Sequence, residues 1–329
     1  MTTTSAAPPG SRTPRRRRVG QTEAVLVVVL GALAAQSWLV PRLTDEALRT
    51  WSTVFVAIVV QAVPFLVLGV LLAAVIAHLV SDRVLARVVP SRPVLGVPAA
   101  GLAGVALPGC ECASVPVSAS LVRRGVAPAV ALTFMLAAPA VNPVVLVATA
   151  VAFPDQPLVV VARFLASLLT AVVVGWLWVW RGGAVPMRLP RGGGAHGHGG
   201  SFLGSVQHDF LHAAGFLVLG AGVAAAVGTF VPRAVLDSVA GHVLLAVVSM
   251  AAFAFVVAMC SEADAFVAAS LSAFSDTAKL VFMVVGPAMD IKLASLQVGT
   301  FGRSFALVFV PLVLVVATGS AVLVGGWLL

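Results

Sequence analysis

The chain has 329 residues, 60% of them hydrophobic and only 10% charged, with a net charge of +8. A soluble domain carries about 25% charged residues, so too few charges remain here to coat a water-facing surface. The positive charge is dispersed in short loops between apolar runs, which argues against a nucleic-acid partner and matches the orientation signals of membrane proteins.

Residues 1–20 are rich in Thr, Ser, Pro and Arg and read as a disordered basic tail. Residues 21–41 follow as an extra transmembrane helix, without the small-residue cleavage site of a signal peptide. Further apolar runs occupy residues 54–80, 126–153, 158–180, 210–231 and 305–329. Each is near or above the ~18 to 20 residues a helix needs to cross a bilayer. No ten-residue alternation marks a transmembrane β-barrel. The expected fold is therefore an all-α polytopic membrane protein with the lipid bilayer as its first partner.

The chain also repeats itself. Phe65-Leu66-Val67-Leu68-Gly69 recurs as Phe216-Leu217-Val218-Leu219-Gly220, and Cys110 recurs as Cys260. Leu132, Phe134, Met135, Pro139, Ala140 and Asn142 recur in one register as Leu280, Phe282, Met283, Pro287, Ala288 and Asp290. Apolar composition alone does not produce such coincidences, and internal repeats recur in transporter folds. Residues 51–181 form repeat 1 and residues 205–329 repeat 2, joined by a Gly- and His-rich cytoplasmic linker at 182–204.

Arginine and lysine set the expected topology. The cluster Arg15 to Arg18 places the N-terminus in the cytoplasm. Residues 93–122 are interrupted by Pro108-Gly109 and by Pro116, which makes each half too short to span and predicts a re-entrant hairpin. Counting that hairpin as entering and returning keeps most basic residues inside. It also gives each repeat an odd number of crossings, so the two repeats are inverted. Trp38 and Trp51 then flank the outer side, and Trp176, Trp178 and Trp180 the inner side.

Several ionisable residues sit where lipid would be, and such residues mark function. The first group is Pro108-Gly109-Cys110-Glu111-Cys112, closed by Pro116. In an extended stretch Cys110 and Cys112 point the same way. Thiolates bind soft ions, and the carboxylate of Glu111 binds hard cations or protons. The alternative is that both cysteines are small packing residues. The second group, Cys260-Ser261-Glu262-Ala263-Asp264, occupies the duplicated position, with Glu262 in the place of Cys112. Glu262 and Asp264 can equally cap a helix start near the interface. The third pairs Pro139, Asn142 and Pro143 with Pro287, Asp290 and Lys292, where prolines break helices and leave carbonyls free. Asp290 and Lys292 can also simply neutralise each other. His208 and His212 share one helical face, a spacing that can bind zinc, though an interfacial helix start explains them as well.

Leu107-Pro108-x-Cys110-x-Cys112, Pro116, Arg123-Arg124-Gly125 and Ala138-Pro139-x-x-Asn142-Pro143 resemble the first half of the bacterial predicted permeases related to trivalent organoarsenical exporters. Cys260-Ser261-Glu262-Ala263-Asp264-Ala265-Phe266 and Gly286-Pro287-x-x-Asp290-x-Lys292 resemble the second half. The resemblance implies a permease of the cytoplasmic membrane, not an enzyme. For some members it implies efflux of a trivalent organoarsenical, with cysteines as ligands. The family's small Ser between the first two cysteines is replaced here by Glu111.

These readings converge on a secondary permease moving a small, thiophilic molecule or ion. Cys110, Cys112 and Cys260 are the soft-ligand candidates. No nucleotide motif and no cofactor is indicated. The rivals are a zinc permease, a subunit needing a partner membrane subunit or a second copy, and a membrane thiol oxidoreductase. The last is disfavoured because redox pairs carry two intervening residues, not one.

Overall fold

The computed structural model describes residues 46–79, 92–106, 111–181, 202–230 and 242–329. The N-terminal tail, the extra helix at 21–41 and residues 182–201 of the linker expected at 182–204 lie outside the described residues, as do Pro108, Gly109 and Cys110; residues 202–204 already belong to a helix.

Among the described residues every regular element is helical. The order is α1 (Glu46–Leu79), α2 (Pro93–Ala103) with a 3-10 turn (Gly104–Ala106), α3 (Glu111–Arg123), α4 (Pro128–Val141), α5 (Pro143–Ala152) and α6 (Pro157–Trp180). After the linker come α7 (Phe202–Phe230), α8 (Val243–Val257), α9 (Asp264–Ser270), α10 (Asp276–Ala288), α11 (Ile291–Phe301) and α12 (Arg303–Leu328). The second six follow the first six in order, which is consistent with a duplicated chain.

Packing follows the same order. In the first half α4 packs on α2, α3 and α6; in the second, α10 packs on α8, α9 and α12. The halves join through α6 against α12, α1 against α7, α4 against α10, α3 against α11, and α5 against α9. Trp178 seals the first of these joints, edge-on to Phe305 and Phe309 at 5.3 and 5.5 Å. Trp178 is buried, so it is a core residue rather than the membrane-interface anchor expected from sequence. Trp176 and Trp180 remain exposed.

Among the described residues five helical stretches are long and apolar enough to cross a membrane: Leu48–Val75, Pro128–Ala152, Pro157–Trp180, Asp276–Phe301 and Arg303–Leu328. The second and fourth are mostly buried inside the protein, so they form the centre of the bundle, with the others around them. Both central spans are broken. In the first, α4 ends at Val141 and Pro143 opens α5, where its missing N–H costs nothing. Asn142 caps the new helix: its Oδ1 accepts from Val145 N at 3.0 Å, and its Nδ2 donates back to the Ala138 carbonyl at 3.1 Å. In the second span α10 ends at Ala288, and Asp290 Oδ1 accepts from Leu293 N to start α11. Pro139 and Pro287 thus sit in the last turns before the breaks rather than at them.

Pro116 does not break a helix. It lies inside α3 as its sixth residue, where the ring forgoes only one bond, to the Cys112 carbonyl, in the second turn. The segment after Cys110 is therefore helical, not extended, and the expected extended-strand geometry of the cysteine pair does not hold at Cys112.

Two glycines set how closely the outer helices approach. A Cβ on Gly69 of α1 would lie 2.5 Å from Ala113 Cα, and one on Gly220 of α7 would lie 2.8 Å from Lys292 Cα. These duplicated glycines press α1 and α7 onto the backbones that carry Glu111, Cys112 and Lys292. Gly302, at φ 94°, turns the chain from α11 directly into α12.

Candidate functional site

The breaks collect charge. Glu111 opens α3 and Lys292 is the second residue of α11, so two helix N-termini from opposite halves meet. Lys292 Nζ lies 2.6 Å from Glu111 Oε1 and 3.6 Å from Asp290 Oδ2, and it donates to the Ala258 carbonyl at 3.4 Å. All three charged side chains are buried. Lys292 is therefore not neutralised by Asp290 alone; its nearer partner is Glu111, 181 residues away. Ala258 ends α8 in the left-handed region at φ 51°, a conformation that costs a residue with a Cβ about 1 kcal/mol. That turn aims its carbonyl at the ammonium.

Beside this pair is a cavity of ≈ 300 Å³. Its walls include Glu111 and Cys112 of α3, Gln61 of α1, Cys260 and Ala263 of the loop before α9, and Lys292 of α11. The volume is at the lower end of the ~300–1,000 Å³ typical of small-molecule sites. Cys112 is a buried thiol. Cys260 donates its Sγ–H to Glu262 Oε2 at 2.6 Å. One thiol thus comes from each half, joined by one acid and one base.

Ser261 and Asp264 do not line this cavity. Asp264 opens α9 and forms a buried ion pair with Arg163 of α6 at 2.8 Å. Arg163 was not among the residues singled out in the sequence, although a lone arginine inside the apolar run at 158–180 is itself a signal. Asn142 and Asp290 act as helix caps at the breaks. Asp290 also contributes to the Lys292 cluster, whereas Asn142 does not line the cavity.

Among the described residues the buried charges comprise three acids, Glu111, Asp264 and Asp290, and two bases, Arg163 and Lys292. Glu111 Oε2, Asp264 Oδ1 and Asp290 Oδ2 have no hydrogen-bond partner among the described residues. Buried charges are normally matched, so the group carries one acid more than its bases neutralise.

Among the described residues no three of His, Cys, Asp and Glu come together to hold a metal ion. Cys110 lies outside them, as does the side chain of His208. His212 is exposed, with Nε2 3.0 Å from the Gly299 carbonyl and its ring edge-on to Phe216. It secures α7 to α11 and does not line the cavity.

Long apolar helices, two of them broken at the bundle centre, with buried ionisable side chains and a cavity beside one break, mark a multi-pass membrane protein. The chain belongs to the predicted permease family, whose model matches residues 47–181 and 200–326. It is 32% identical to the UPF0718 protein YcgR of Bacillus subtilis (strain 168), over 84% of this chain and 97% of that protein. It is 30% identical, over 78% of this chain and 89% of the relative, to a Streptococcus mutans serotype c (strain ATCC 700610 / UA159) protein named "Putative two-component membrane permease complex subunit". No solved structure matches the chain.

Proposed function

We propose that this permease moves a small thiophilic solute, such as a trivalent organoarsenical or a soft metal species, through the cavity between its two halves. The observation that supports this is the joint lining of one ≈ 300 Å³ cavity by Cys112 and Glu111 from one half and Cys260 and Lys292 from the other. Sulfur ligands select soft ions and leave hard ones. Cys112 and Cys260, with Cys110, ligate the solute. Glu111, Glu262 and Asp290 balance its charge or carry a proton, in keeping with the surplus buried acid. Rocking of one half against the other, as inverted repeats, exposes the cavity to each side in turn. The protein sits in the cytoplasmic membrane with its N-terminus in the cytoplasm, as the Arg15 to Arg18 cluster favours.

Flux of methylarsenite into vesicles reconstituted with the purified chain tests this reading. Cys112→Ser and Cys260→Ser are each expected to lower that flux at least tenfold. Native flux in both variants would remove the cavity from the mechanism. The name of the Streptococcus mutans relative favours a second reading, in which the chain works with a partner membrane subunit. Flux by the single purified chain would exclude that dependence. Wild-type chain that transports only when membrane extract from its own host is added would support it.

A further inference from the structure

The loop from Cys260 to Asp264 has two faces. Cys260 and Ala263 line the cavity. Ser261 and Asp264 turn toward the first half, where Arg163 of α6 meets them. Arg163 Nη2 donates to the Ser261 carbonyl at 3.0 Å and to Asp264 Oδ2 at 2.8 Å. Its Nη1 donates to Thr149 Oγ1 of α5 at 2.8 Å, and Thr149 in turn donates to the Val145 carbonyl at 2.7 Å. One guanidinium thus ties two helices of the first half to one loop of the second. Arg163 is completely buried and does not line the cavity.

The loop cannot yield at one end alone. Ala263 N and Asp264 N both donate to the Cys260 carbonyl, at 3.0 and 3.2 Å. Cys260 is thus tied through its own carbonyl to the segment that Arg163 grips.

Nor is this contact optimised as a static prop. A buried ion pair is seldom more stabilising than an apolar pair of the same shape. Arg163 Nε, Ser261 Oγ and Asp264 Oδ1 are all buried without a hydrogen-bond partner among the described residues. Incomplete satisfaction is costly in a fixed core. It suits a contact made in one arrangement of the halves and released in another.

We propose that Arg163 is a positioning residue, a latch between the halves that seats Cys260 at the cavity wall. Occupancy of the cavity and the relative position of the halves are then linked through the 260–264 loop. This deepens the permease reading and rests on it, but the first of its two tests does not require flux.

The chain has three cysteines, so Cys110→Ser with Cys112→Ser leaves Cys260 as the single thiol. In that background, alkylation of Cys260 by a membrane-permeant maleimide is timed in native membranes. Arg163→Gln is expected to raise the rate at least tenfold by releasing the loop. Because that change leaves Asp264 unpaired and can impair folding, Arg163→Met with Asp264→Asn carries the same test without a lone buried charge, and the same acceleration is expected. A rate within twofold of the Arg163 parent in the double variant overturns the proposal. In the otherwise native chain the double variant separates a latch from a mere ion pair. A mere ion pair is replaceable, so native methylarsenite flux in the double variant also overturns the proposal, whereas a latch predicts flux lowered at least tenfold. Absence of flux in the wild type would instead count against the permease reading and leave the alkylation result standing.

Discussion

Replacing Lys292 with Met removes the cation shared by Glu111 and Asp290. At 2.6 Å the Glu111–Lys292 attraction is about 6 kcal/mol for an effective dielectric of ~20. Desolvation of the two ions offsets most of that in the intact protein. Removing one partner, however, strands buried charge and costs ~3–5 kcal/mol. Here two carboxylates are stranded at once, which puts the loss in the upper part of that range. At roughly 2–4 °C per kcal/mol for a chain of this order of size, the apparent melting temperature should fall by about 10 °C or more. Glu111→Gln should cost less, because Lys292 keeps Asp290 at 3.6 Å. Thermal unfolding of the purified protein in detergent, followed by tryptophan fluorescence, ranks the two variants. A Lys292→Met protein that melts within 2 °C of wild type, or a Glu111→Gln protein that melts lower than it, would refute the shared-cation arrangement.

Asn142→Ala removes both hydrogen bonds at the α4–α5 break and should destabilise the same melting transition by ~1–2 kcal/mol. Gly69→Val drives a side chain into the Ala113 backbone, so α1 should be displaced from α3 and Cys112 should become more reactive to maleimide. Lys279→Gln breaks a partly exposed pair with Asp276 at 3.1 Å and should change stability by no more than ~0.5 kcal/mol, in contrast to the buried pairs.

The helical, membrane-spanning character of the chain was legible in its sequence, because long apolar runs have only one economical conformation in lipid. The central breaks were legible as well, since Pro143 and the capping side chains of Asn142 and Asp290 act over neighbouring residues. Pro116 is the converse case: it forgoes the bond to the Cys112 carbonyl, and packing of α3 against α1, α4 and α11, which no local signal shows, carries the helix through it. Pairing across the halves was beyond sequence reasoning. Nothing local distinguishes Asp290 from Glu111 as the nearer partner of Lys292; packing of α3 against α11 decides it. Arg163 is a different case. A lone charge in an apolar span was visible, and its partner Asp264 was already marked, but only the fold brings the two together.

Cys112 and Cys260 line one cavity from opposite halves. Phenylarsine oxide, whose trivalent arsenic bridges two thiols, probes this directly in a Cys110→Ser chain that retains only that pair. Mass spectrometry of the protein in its membrane should find one arsenic per chain and both cysteines protected together from alkylation. Two arsenics per chain, or alkylation of both cysteines at undiminished rates, would contradict the shared site.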